Sequence, residues 1–322
     1  MVEKFGHLVR LWGVDASQLP PDTATPQEIS PFLHSILLEA IPFLDDLPPH
    51  DSPGVKSPWK DKGTKTYPHS TAPVSLFERT ISAEELQDVA SEYHVPHLTG
   101  GPSGIHQPET WTLRRSVHED AAAAGTASWP EWVRCFKEEH AQSEKAFTPT
   151  VQRTTVKREW NCEGVELALG GDRWGGWTLK TEESTHKMPP PLKPRTFPVV
   201  QATAEVMGKK DFLVVQIAEV EESSTGTAKN GEGTGADHQR RQNGDVKGVY
   251  TSVERIREVR PGEVEWVMGT VSDARGVLPA WVQRMATPMM IAKDVEAFLK
   301  WIAEERHKKR SEADVDLKPA SH

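Results

Sequence analysis

The stretch from 263 to 302 constrains the fold more than any other. A β-prone run, 263–273, meets a polar turn holding Asp273, Gly276 and Pro279, and an amphipathic helix follows almost to the end of the chain. On that helix Leu278, Trp281, Val282, Met285, Met289, Ala292, Val295, Leu299 and Ile302 recur at helical spacing, while Gln283, Arg284, Lys293, Glu296 and Lys300 fall elsewhere. Each large member of the stripe contributes about 1.5–3 kcal/mol when buried. Such a stripe is ample to hold the helix on a sheet. The helix is therefore expected to lie across a sheet as a lid.

The rest of the chain supplies the sheet. Valine, threonine and aromatic runs bounded by Gly or Pro predict strands over 109–120, 151–160, 163–169, 173–183, 197–207, 211–220, 247–259 and 263–273. Helices are predicted over 25–47, from Ser82, and over 129–145. Each opens on a Ser or Thr with Glu three residues later, the capping-box spacing (Thr25 and Glu28, Ser82 and Glu85, Ser128 and Glu131). Pro42 is expected to kink or end the first helix. Residues 48–75, with six prolines and few apolar groups, read as an extended loop. The 222–245 stretch has almost no apolar residue and reads as a disordered insertion between two strands. The reading is thus an N-terminal helical and proline-rich extension (1–98), an α+β domain (99–305) interrupted at 222–245, and a flexible tail (306–322).

Bulk properties narrow the function. Hydrophobic content is 36%, below the usual range of about 45–50%, so part of the chain stays outside the core. A net charge of −9 argues against a nucleic-acid partner. No apolar run is long enough to span a bilayer, and the N-terminus lacks a signal-peptide core. Membrane contact is at most transient. Two cysteines, Cys135 and Cys162, fit a reducing, cytoplasmic setting. TGGPSG (99–104) and GGDRWGG (170–176) lack the context of a phosphate loop.

Two stretches carry a resemblance. They are TWTLRRSVHED with GTASWPEWVRCFKEEHAQSEKAFTPTV (110–151), and KGVYTSVERIREV with EWVMGTVSDARGVLPAWVQRMATPMMIAKDVEAFLKWI (247–302). They look like an uncharacterised fungal family, a domain of unknown function in the START-like superfamily. The ending with Asp273, Gly276, Leu278, Pro279 and Trp281 also resembles START lipid-transfer domains. The resemblance implies a helix-grip fold: a curved antiparallel sheet wrapped around a long C-terminal helix, with an apolar tunnel between them. It implies a hydrophobic ligand, a lipid first, bound and carried in that tunnel. Related folds also catalyse cyclisation and hydration, so fold alone does not separate carrier from enzyme.

The candidate ligand-cavity residues are Arg115, Trp266, Met268, Trp281, Met285 and Met289, with Asp273, Gly276 and Pro279 as the structural turn. Methionines adapt to irregular shapes, yet a packed core shows the same stripe, and the two readings stand level. Arg115 shares a strand face with Trp111, Leu113 and Val117. It either reaches water at the strand end or anchors a polar ligand group, with Glu254 or Arg255 as its neighbour. No catalytic residue, metal site or cofactor is expected. His94-x-x-His97 contains Pro96, and His118, His140 and Cys135 read as structural. The rivals are a cyclase-like or hydratase-like enzyme on the same fold, or an interaction module built on the N-terminal extension.

Overall fold

The computed structural model describes residues 6–49, 55–96, 98, 101–188, 190, 192–220, 246–273 and 280–316, with side chains of the last helix from 287 to 311. Gly276, Pro279 and the 222–245 insertion lie outside the described residues. Trp281 and Met285 lie on the last helix, with their side chains outside the description.

The helices are α1 (Pro26–Asp45), α2 (Ala83–Glu92), α3 (Trp129–Trp132), α4 (His140–Phe147) and α5 (Ala280–Asp316). The strands are β1 (Val14–Asp15), β2 (Lys60–Lys65), β3 (Val74–Ile81), β4 (Glu109–Glu119), β5 (Val151–Trp160), β6 (Leu167–Leu169), β7 (Asp172–His186), β8 (Arg195–Val206), β9 (Asp211–Val220), β10 (Val246–Lys247), β11 (Val249–Arg260) and β12 (Glu263–Asp273). A curved antiparallel sheet runs in the order β2-β3-β4-β12-β11-β9-β8-β7-β5. Short strands β1 and β10 add in parallel to β9 and β8, and β6 pairs with β7. The long C-terminal helix packs on this sheet, as the α+β helix-grip expectation requires.

The Thr25 and Ser128 capping boxes form, and Ser82 caps α2. Three expectations need correction. First, α1 runs through both Pro31 and Pro42 to Asp45. Its buried face, held by core contacts, outweighs the hydrogen bond each proline removes. Second, within the 48–75 stretch read as loop, residues 60–65 form a strand and residues 74–75 begin another, β3. β3 pairs with β4 from Ser75↔Arg115 to Ile81↔Glu109, so the N-terminal region contributes to the same sheet as the rest. Third, α5 continues to Asp316 where a tail was expected from 306. Arg306 holds that end: its guanidinium donates to Glu131 at 2.7 Å through both Nε and Nη2 and also to the Ala123 and Thr126 carbonyls.

The sheet is a middle layer with two unlike faces. On one, α1 buries Ile29, Leu33, Ile36, Leu37 and Phe43 in one cluster with Trp111, Leu113, Leu213 and Val253 of the sheet. On the other, α5 buries Ala292, Val295, Phe298, Leu299 and Ile302 with Val264, Trp266, Ile256 and Phe212. α1 is spent on the fold, which counts against it as a free docking helix. Among the described residues, no helix is long and apolar enough to cross a membrane.

Candidate functional site

Side chains alternate between faces along each strand, so register decides what lies under α5. One cross-strand row on that face is aromatic and apolar: Trp266 opposite Ile256, and Ile256 opposite Phe212. Trp132, Phe136 and Phe298 close over it, with ring centroids 4.8–5.7 Å from that of Trp266. These rings form an aromatic seal between α5 and the sheet.

The next rows are polar. Arg114 lies opposite Met268, and Met268 opposite Glu254. Beyond them a continuous row crosses six strands as Thr112, Thr270, Ser252, Gln216, Gln201 and Lys180. Polar groups buried under a helix cost free energy unless bonded, and most of these are. Ser252 donates to Gln216 Oε1 at 3.1 Å, Gln216 and Gln201 donate to Glu182 Oε1 at 3.5 and 3.3 Å, and Lys180 Nζ stands 2.9 Å from Glu182 Oε2. The Gln201 amide also lies 3.3 Å from His140 Nδ1.

The centre of the site is less complete. Trp266 Nε1 donates to Glu254 Oε1 at 2.6 Å, and Arg114 Nη2 reaches the same oxygen at 3.4 Å. The Arg114 guanidinium lies 3.7 Å from the Trp266 ring centroid. Its Nε and Nη1 find no hydrogen-bond partner among the described residues, although the residue is only 2% exposed. His140 Nε2 is 4.0 Å from Glu254 Oε2.

Helical segments bring further groups over this floor. Residues Val133–Glu138 form a π-helix, and the backbone breaks at Glu139 (φ −113, ψ 34) before α4 begins. The continuous helix expected over 129–145 is thus three pieces. The π turn and the break set His140 over the sheet; π turns are frequent where a helix carries a function. Glu144 follows one turn later on α4, and Asp294 comes from α5. Burial, with the Glu182, Asp294 and Glu254 charges adding to it, pushes the Glu144 carboxyl up to about 8. Burial pushes Asp294 up to about 6 against the pull of Arg114. Burial also raises Glu254, with Arg114 opposing. The imidazole of His140 is driven down to about 4 by burial, so it is neutral at physiological pH. Glu144, Tyr250 and Asp294 are each ringed by protein, yet keep part of their surface accessible, as does Met268. At the end away from the aromatic seal, Tyr250 meets Phe197 edge-on at 5.6 Å, and Phe197 meets His186 at 5.3 Å.

Of the sequence-predicted residues, Trp266 and Met268 stand on this face. Asp273 ends β12 opposite Val249. Arg115 does not join them. It shares its face with Trp111 and Leu113, as alternation requires, and that face carries α1 rather than α5. It donates to the Pro48 carbonyl and lies over the Phe77 ring. It lines an open surface pocket of about 270 Å³ with Leu44, Leu47, Val117, Arg255 and Val267. The other charges there are committed: Arg255 to Asp211 and Asp45, and Arg257 to Glu265. That pocket is therefore a poorer site than the floor under α5. Met289 is also displaced, being 56% exposed. Periodicity placed it on the α5 stripe, but none of the described residues covers it at that turn. Arg114, Glu144, Glu182 and Asp294 were missed. Alternation already implied that Arg114 takes the face opposite Arg115; which face faces the long helix was the missing information.

Among the described residues no group of His, Cys, Asp and Glu is arranged to hold a metal ion. No curated protein matches the chain significantly. Solved structures similar to it include human STARD10, at 12% identity and a TM-score of 0.48, covering 85% of this chain and 82% of that one. Human StAR-related lipid transfer protein 5 is 11% identical with a TM-score of 0.47, covering 87% and 99%. A STAR-related lipid transfer protein from Xanthomonas axonopodis is 10% identical with a TM-score of 0.40, covering 77% and 98%. The family described as "Protein of unknown function (DUF3074)" matches residues 111–302, and this chain belongs to it.

Proposed function

We propose that this protein binds an amphipathic small molecule, a lipid first, in a recess between α5 and the sheet, and carries it. The observation that carries the reading is the accessible surface kept by Glu144, Tyr250, Asp294 and Met268 inside the protein. Side chains that are enclosed yet accessible line a space, and the unpartnered Arg114 donors face groups that a ligand can complete. The resemblance of the ending, with Asp273, Gly276, Leu278, Pro279 and Trp281, to START lipid-transfer domains supports the same reading. α5, held at its far end by Arg306, would act as the lid. The polar floor refines the expected ligand from wholly hydrophobic to amphipathic.

Native mass spectrometry of the purified chain, followed by organic extraction, tests this. A stoichiometric amphiphile is the expected result. A clean apo mass that persists after incubation with sterols, phospholipids and ceramides would count against it.

One observation favours an acid–base enzyme as the second reading: Glu144 holds a proton at neutral pH beside the Arg114–Glu254 pair. Recovery of a chemically altered ligand, rather than the one supplied, would select it.

A further inference from the structure

The charges around the recess do not balance. Four carboxylates face it from four elements: Glu182 from β7, Glu254 from β11, Glu144 from α4 and Asp294 from α5. Among the described residues, Arg114 from β4 and Lys180 from β7 oppose them, Lys180 being paired with Glu182; Arg195 of β8, buried on the same face further along, donates to the Lys193 carbonyl. Burial holds the His118, His140 and His186 imidazoles on this face below their ordinary value, and the Tyr250 phenol is pushed up by burial and by the Glu144 and Glu182 charges, so none of them offsets the deficit. Unpaired buried charge is costly. The empty recess must therefore keep protons on its carboxyls, or take in a positive group. Arg114 adds an independent requirement. Its two buried, unpartnered N–H donors call for an acceptor oxygen, which an ammonium alone cannot supply.

We infer that the polar end of the ligand is a primary amine beside a hydroxyl, as in a long-chain amino alcohol, with the ammonium among Glu144, Glu182 and Asp294 and the hydroxyl between Arg114 and Glu254. The hydroxyl oxygen accepts from Arg114 and its proton goes to Glu254. The ammonium supplies one positive charge and displaces the proton that Glu144 holds near neutral pH in the empty protein. The aliphatic chain then runs past Met268 toward Tyr250 and Phe197. This inference rests on the recess proposed above.

The test is a calorimetric titration of the full chain with three probes: a medium-chain amino diol, its N-acetylated derivative, and the same diol without nitrogen. One charge-assisted hydrogen bond is enough to make the amine bind at least about tenfold tighter than either neutral probe near neutral pH. The preference should shrink as pH falls below about 6, where the carboxyls hold their protons. Glu144→Gln should lose most of the amine's preference over the diol, with an unchanged circular dichroism spectrum showing that the variant is folded. Equal affinities, or tighter binding of the N-acetyl probe, overturn the amine assignment and leave the recess intact. If none of the three binds, the recess reading itself falls, and the inference with it.

Discussion

Both faces of the sheet bury arginines and acids, but the Arg255 pair under α1 is bonded more fully than the Arg114 pair under α5. Under α1, Arg255 donates to both oxygens of Asp211, at 2.9 and 2.6 Å. On the same side the Glu39 carboxylate accepts from the Leu8 and Val9 amides at 3.0 and 2.7 Å, and Glu109 accepts from the Leu11 amide and the Trp111 indole. Under α5, Arg114 makes one long bond to Glu254, and two of its donors are idle among the described residues. A satisfied buried charge is part of the packing; an unsatisfied one is held for something else. On the reading proposed above, the contrast marks the Arg114 pair as the one a ligand would complete.

The largest effects belong to the α1 face. Trp111 is fully buried, packs edge-on against Phe43 at 4.7 Å, and bonds Glu109. Trp111→Ala should cost about 3–5 kcal/mol in denaturant unfolding without changing ligand affinity. A loss under about 1 kcal/mol would show that this face is loosely packed. The arginines give a sharper comparison. Arg255→Met strands Asp211 as a buried, unpaired charge and should cost about 3–5 kcal/mol. Arg114→Met should cost less, about 1–3 kcal/mol, because Glu254 already lies above the usual carboxylate range and can take up a proton. Equal losses for the two variants would remove the distinction between the faces.

pH acts on the α5 face. Glu144 and Asp294 have raised values, so the folded chain holds protons that the unfolded one releases. Their contribution to stability is complete below the ordinary values of 4.5 and 3.8, and is lost as pH rises through about 6 for Asp294 and about 8 for Glu144. The imidazoles of His118 and His140 run the other way. Burial depresses both, to about 3 and about 4, so their contribution is present above 6.5 and is lost as pH falls through those values. Thermal unfolding of the empty protein should therefore show its alkaline decline eased by Glu144→Gln and its acid limb unchanged. An alkaline limb that ignores this substitution would mean that Glu144 is not enclosed.

Periodicity carried the elements further than it carried the site. β5, β9 and β12 lie where alternation and punctuation placed them, because each is a β-prone run between glycine or proline breaks. β2 escaped notice since KDKGTK is wholly exposed and has no apolar face to betray it. At Arg114 and Arg115, alternation fixed which residues share a face: Trp111, Leu113 and Val117 stand with Arg115, and Thr112, Ser116 and His118 with Arg114. Nothing local says which of them will face α5. The six-strand polar row is further from view: its members come from six segments, and only the register aligns them.

Met289 shows the same limit at the smallest scale. The stripe through Ala292, Val295, Leu299 and Ile302 is buried as its spacing predicts, whereas Met289, three residues before Ala292, is exposed. Helical spacing tells which side chains point the same way, and tertiary structure decides whether anything stands opposite them. Pro288 precedes this methionine and cannot donate the helical hydrogen bond one turn back, so the turn is weakly held as well as uncovered. Met289→Ser should change stability by less than about 0.5 kcal/mol, as surface substitutions do, while Leu299→Ala on the buried side of the same helix should cost about 2–5 kcal/mol. If Met289→Ser left stability alone but weakened amphiphile binding in the calorimetric titration, the exposed methionine would belong to the mouth of the recess, and the surface of α5 at that turn would be part of the ligand's route in.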